Sequence, residues 1–114
     1  MVHHSIGCDI VHIPRIKKIM EDEQSLQRVF QPSELSNLEP QHLAGIFAAK
    51  EAAFKALAIP SNQWLEIEVS HTDTGKPILT FSATILDASL YSIACSISHD
   101  QDYAVAVVSV LQHS

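Results

Sequence analysis

The last segment of the chain constrains the fold more than any other, because Tyr103 to Leu111 carries apolar side chains on both faces of an extended strand. Val105, Val107 and Leu111 lie on one side, with Ala104, Ala106, Val108 and Val110 on the other. Such a strand has to be covered twice. At 114 residues there is room for one hydrophobic core and no second domain, and a core of that size rarely supplies two covers by itself. An interface between copies is the simplest second cover; a helix packed across the sheet is the other, and the pattern leaves both open. The preceding stretch Tyr91–Ser98 reads as a second strand of this apolar kind.

Composition restricts the class. With 46% hydrophobic and 18% charged residues, the balance is that of a folded globular chain. No apolar run approaches the ~18 residues of a membrane span. Met1-Val2-His3-His4-Ser5 has neither the basic region nor the apolar core of an export signal, so the cytoplasm is the expected location. Cys8 and Cys95 sit in apolar strand-like segments and are expected in the core as small hydrophobes.

The longest helical pattern runs from about Pro40 to Ala58, stopped at Ile59-Pro60. Within it, Phe47-Ala48-Ala49-Lys50-Glu51-Ala52-Ala53-Phe54-Lys55-Ala56 combines a run of alanines, which lets another backbone approach closely, with a carboxylate and two ammonium groups. Glu51 and Lys55 are four apart and share a face. A surface ion pair is the ordinary reading of that spacing; a phosphate-and-metal site is the other.

Ahead of this helix, Val2, Ile6, Cys8 and Ile10 alternate with His3, Ser5, Gly7 and Asp9, which predicts a strand that turns Asp9 away from the core and toward a ligand. Pro14 is placed to open a helix with Ile16, Ile19 and Met20 inward and Arg15, Lys17 and Lys18 outward. A short helix over Leu26, Val29 and Phe30 ends at Pro32, and Ser33 is a candidate cap for a further turn. Beyond the long helix the pattern is an antiparallel meander: Leu65, Ile67 and Val69 alternate with polar residues, Asp73-Thr74-Gly75-Lys76-Pro77 is a turn, and Ile78–Leu86 is a strand before the last two. The fold class is α+β, an antiparallel sheet packed with one long helix and short N-terminal helices.

Charge is informative by position. Residues 1–28 balance Arg15, Lys17, Lys18 and Arg28 against four acids, whereas residues 29–114 hold nine acids and only Lys50, Lys55 and Lys76 as bases. Every later cation thus falls in a motif segment, as expected if a generally acidic surface reserves its cations for phosphate. Nucleic acid is a poor partner for such a chain and is not expected, because binding it needs a basic patch.

Three further segments stand in register with the helix motif: Gly7-Cys8-Asp9-Ile10-Val11-His12-Ile13-Pro14-Arg15-Ile16, Gly75-Lys76-Pro77, and Ser96-Ile97-Ser98-His99-Asp100. Together they resemble the holo-acyl-carrier-protein synthases, small 4′-phosphopantetheinyl transferases, from Gly7 to about Val110. The resemblance implies a homotrimer with active sites between neighbours, and transfer of phosphopantetheine from coenzyme A to a serine of an acyl carrier protein. It assigns Mg2+ to Asp9 and Glu51, and with them it makes Lys55 a catalytic residue. Lys55, Gly75, Lys76, Pro77 and His99 become coenzyme contacts, and Arg15, Lys18 and Met20 a docking face for the carrier. The residue types suit phosphoryl transfer, which asks mainly for positioning and charge neutralisation. Magnesium takes one or two protein carboxylates and completes its shell with phosphate and water. The base for the serine proton is Glu51 or a metal-bound water.

Other readings attach to several residues. An ordinary turn histidine is the alternative for His99, and a solvated helix face the alternative for Arg15 and Lys18. His3 and His4 are adjacent on a strand, point to opposite faces, and make no metal site. The sequence departs from the family in two places. Ile46 stands where related chains commonly carry arginine for the coenzyme 3′-phosphate, and Ala58-Ile59-Pro60-Ser61-Asn62 replaces an aromatic residue and a glycine-rich loop. The main alternative is therefore a non-catalytic module that holds coenzyme A or a carrier protein; retention of Asp9, Glu51 and Lys55 favours the enzyme.

Overall fold

A computed structural model describes residues 3–113. The elements run β1 (His3–His12), α1 (Ile13–Met20), α2 (Glu23–Val29), α3 (Pro40–Leu57), β2 (Ile67–His71), β3 (Pro77–Phe81), β4 (Tyr91–Asp100) and β5 (Tyr103–Gln112), with short 3-10 turns at Glu34–Ser36, Trp64–Glu66 and Ala88–Leu90. β5 is the centre of a three-stranded antiparallel sheet, order β1-β5-β4, while β2 and β3 form a separate hairpin. The expected single meander is thus two sheets. Leu65 belongs to the 3-10 turn and not to a strand, and β3 stops at Phe81 because Ser82–Leu86 turns back on itself through Ile85 and Leu86 N–H bonds to Ser82 O.

α3 lies across the three-stranded sheet and buries twelve of its eighteen residues, so it is the core, not an amphipathic surface helix. Gly7 is what lets it settle there. A Cβ at that position would stand 2.0 Å from Ala52 O and 2.8 Å from Ala56 N, so the alanine run and Gly7 together allow two backbones to touch. Pro40 supplies the first turn of α3 and Ala58, at φ 55°, ends it in the left-handed region, with its N–H donating to Phe54 O.

This packing reverses the expected faces of β1. Gly7 and Val11 face the helix with Asp9 between them, whereas Ile6 (70% exposed), Cys8 and Ile10 (62% exposed) face outward. Close approach at Gly7 outweighs the apolar alternation, and Cys8 is correspondingly not a core residue. Val2 lies outside the described residues. Cys95 does pack against the core, and burial pushes its thiol up to about 11.

β5 receives one cover from its own chain. Ala104, Ala106, Val108 and Val110 are buried under α3, while Val105, Val107 and Leu111 on the opposite face are only half-buried. In register with them, Cys8 stands opposite Val107 and Ile10 opposite Val105 on β1. On β4 the outward residues are Ser92, Ala94, Ser96 and Ser98, so that strand is small and mostly polar outside, not apolar on both faces. Among the described residues, no helix is long and apolar enough to cross a membrane.

Candidate functional site

Glu51 and Lys55 sit one turn apart on α3, and Lys55 faces the β1 edge of the sheet. Lys55 Nζ donates to Asp9 Oδ1 at 3.0 Å and to Cys8 O at 2.9 Å, which ties helix and strand together beside Gly7. The pair is open to solvent: the Lys55 side chain is 57% exposed and that of Asp9 16%. Glu51 Oε2 accepts from Trp64 Nε1 at 3.1 Å. Asp9 Oδ2 and Glu51 Oε1 have no hydrogen-bond partner among the described residues. The structure therefore joins Asp9 to Lys55, with Glu51 one helical turn from Lys55, and Asp9 makes that contact on the helix side of β1.

Lys50 does not belong there. Its side chain is fully buried and donates to Glu34 Oε1 at 2.7 Å and Val29 O at 2.9 Å. Glu34 accepts in addition from Gln31 N–H at 2.8 Å and Val69 N–H at 2.7 Å, so this pair joins the turn after α2, α3 and β2. Burial pushes the Lys50 ammonium below its usual range, and Glu34 pushes it back. Lys50 is structural, and one of the three late cations is thereby removed from phosphate binding. Ser33 likewise makes no side-chain cap; its hydroxyl donates to Glu68.

A second group of expected site residues lies elsewhere. Gly75, Pro77 and His99 line a cleft of about 260 Å3 with Gly45, His42 and His71, and none of Asp9, Glu51 or Lys55 reaches it. His42 and His71 have ring centroids 5.3 Å apart, and burial together with His71 holds His42 below its ordinary pKa. Lys76 is exposed at the tip of the hairpin, where Gly75 turns at φ 89°. Ile46 is buried in the core, so that position offers packing in place of a cation.

On the N-terminal helix Arg15, Lys17 and Lys18 are exposed and Met20 is partly buried against the core. The Arg15 guanidinium lies 5.3 Å over the Phe47 ring, and Phe47 in turn lies 6.0 Å from the Trp64 ring. Sequence reasoning missed Trp64 and Glu34. A lysine buried on an all-apolar helix must find an acid, but no spacing says which one. Trp64 carried a signal only as the single tryptophan of the chain.

The donor set suits a hard cation. Among the described residues no group of three or more His, Cys, Asp and Glu is placed to hold a metal ion, so two carboxylates would hold a cation only together with phosphate or water, which is the habit of Mg2+.

Comparison with known proteins gives one direction. The profile of the 4′-phosphopantetheinyl transferase superfamily matches residues 5–108. The holo-[acyl-carrier-protein] synthase of Caldanaerobacter subterraneus subsp. tengcongensis is 37% identical, with 90% of each chain covered. That of Campylobacter jejuni strain RM1221 is also 37% identical, over 93% of this chain and 98% of the relative. The crystal structure of Helicobacter pylori holo-[acyl-carrier-protein] synthase in complex with coenzyme A superposes with a TM-score of 0.82 at 38% identity, covering 92% of this chain and 98% of that one.

Proposed function

This chain belongs to the 4′-phosphopantetheinyl transferase superfamily, and from that premise we propose that it is a holo-[acyl-carrier-protein] synthase acting as one domain in the cytoplasm. It transfers 4′-phosphopantetheine from coenzyme A to a serine of an apo acyl carrier protein. The serine oxygen forms a bond to the pantetheine-side phosphorus, the diphosphate P–O bond breaks, and adenosine 3′,5′-bisphosphate leaves while the serine proton passes to a base. The observation that carries the reading is the open Asp9–Lys55 pair at the edge of the sheet, with Glu51 one helical turn from Lys55.

Asp9 and Glu51 would hold Mg2+ through their unpartnered oxygens, and the cation supplies charge neutralisation and orientation of the diphosphate. Lys55 adds an exposed ammonium that already spans strand and helix and can exchange Asp9 for a phosphate oxygen. The cleft with Gly75, Pro77 and His99 would take the nucleotide end, with Lys76 at its margin. Because that cleft excludes Asp9, Glu51 and Lys55, the reading places the two halves of a site on neighbouring subunits of a homotrimer. The outward face of Ile6, Ile10, Val105, Val107 and Leu111 supports such an assembly, since it is too apolar to be left in water. The exposed Arg15 and Lys18, with Met20 beside them, would meet the acidic surface of the carrier.

Mass spectrometry of an apo carrier protein incubated with coenzyme A, Mg2+ and this chain tests the transfer. Addition of one phosphopantetheine is expected, with its loss in Glu51→Gln and, for Arg15→Glu, a raised KM for the carrier with that for coenzyme A unchanged. A carrier left unmodified by the wild-type protein would favour the binding-module alternative. For the assembly, Val107→Glu should convert a trimer in sedimentation to smaller or insoluble species, and an unchanged sedimentation coefficient would exclude this face as the interface.

A further inference from the structure

We propose that Trp64 is a positioning residue for Glu51, fixing which of its two carboxylate oxygens is offered to a cation. The inference rests on the reading of Asp9 and Glu51 as ligands. Its basis is the bond from Trp64 Nε1–H to Glu51 Oε2, 3.1 Å long and partly buried, made across 13 positions of chain.

The donor is held by one ring contact and by the anchoring of the residue that follows it. The Trp64 ring lies 6.0 Å from the Phe47 ring at an interplanar angle of 30°, and Phe47 is 2% exposed. The next residue is anchored too, because Gln31 Nε2 donates to Leu65 O at 2.7 Å. Trp64 thus ends the 58–63 loop at a fixed point, and the indole points at the site with little freedom of its own.

The chemistry of the indole suits such a role. Its N–H only donates, does not ionise near neutral pH, and cannot itself bind a metal. It therefore occupies one oxygen without adding charge or competing for the cation, and leaves Glu51 Oε1 as the oxygen without a hydrogen-bond partner among the described residues. A glutamate on an exposed helix face samples several rotamers; the bond removes that freedom before a cation arrives. Trp64 touches no reacting atom and acts only through Glu51.

The test uses Trp64→Phe, which keeps a ring on Phe47 and deletes the N–H. The Mg2+ concentration for half-maximal transfer should rise about tenfold, while the KM for coenzyme A changes less than about twofold. A purely structural role would lower the melting temperature and leave the Mg2+ requirement alone. A second readout needs no turnover. Trp64 is the only tryptophan, so 15N-labelled protein has one indole resonance. That resonance should move in Glu51→Ala and broaden when Mn2+ is added in place of Mg2+. A folded Trp64→Phe protein with the wild-type Mg2+ requirement would overturn the proposal. So would an indole resonance indifferent to both Glu51→Ala and Mn2+, which settles the matter even where Trp64→Phe fails to fold. Absence of transfer by the wild-type chain would instead count against the synthase reading, and the indole shift in Glu51→Ala would still report the contact.

Discussion

Lys50 and Lys55 stand five residues apart on α3, each beside a carboxylate, and the two pairs are opposites. Lys50 with Glu34 is wholly buried, whereas Lys55 with Asp9 keeps a side chain that is 57% exposed. Five residues are about 140° around a helix, so the two ammonium groups leave in divergent directions. One enters the layer between α3, the 30–36 turn and β2. The other emerges at the β1 edge. The buried pair is saturated, since Glu34 accepts from Lys50, Gln31 N–H and Val69 N–H, and nothing is left for a ligand. The open pair keeps exchangeable partners. Ion pairs of the same residue types therefore divide by satisfaction: the complete one holds elements together, and the incomplete one can do chemistry.

The largest effect that would break or sharpen this contrast comes from Lys50→Met. It strands the Glu34 carboxylate in the core and removes the partner of Val29 O, at a cost of about 3–5 kcal/mol. Thermal unfolding should fall by more than about 10 °C. Adding Glu34→Leu should restore only part of the loss, because the Val69 and Gln31 N–H groups then lose their acceptor. A melting temperature near that of wild type in the single variant would show that the buried pair does not hold the layers together.

Lys55→Met should act the other way. An exposed pair is worth about 0–1 kcal/mol, so the melting temperature should stay within a few degrees. Transfer to the carrier should fall on the order of 100-fold if Lys55 has its proposed role as the cation facing developing phosphate charge. Steady-state kinetics and a melting curve on the same preparation check both halves. Marked destabilisation with unimpaired transfer would erase the distinction between the two lysines.

Much of the fold was readable from periodicity. Pro14 and Pro40 mark their helix starts, Gly75 its turn, and β4 and β5 begin where their alternation begins. The face of β1 was not readable, because Ile6, Cys8 and Ile10 alternate as a core face would. Only the approach of α3 to Gly7 decides that they point outward. In the site, Asp9, Glu51 and Lys55 were visible as residue types at motif spacings, and Lys50 looked equally available. Trp64 and Glu34 were hidden, since a hydrogen bond across 13 positions and an ion pair across 16 leave no local pattern.

By itself, the sequence determined the helix and strand content, the α+β class and the chemical kinds of group at the candidate site, because those follow from local spacing and backbone preference. Tertiary structure alone decided which lysine is buried, which face of β1 is bare, that the meander splits into two sheets, and that Gly75, Pro77 and His99 lie in a cleft apart from Asp9, Glu51 and Lys55. The physical reason is that these outcomes depend on which surfaces meet. Here a backbone contact at Gly7 set the placement of α3 on the sheet, against the face that the side-chain alternation of β1 favoured.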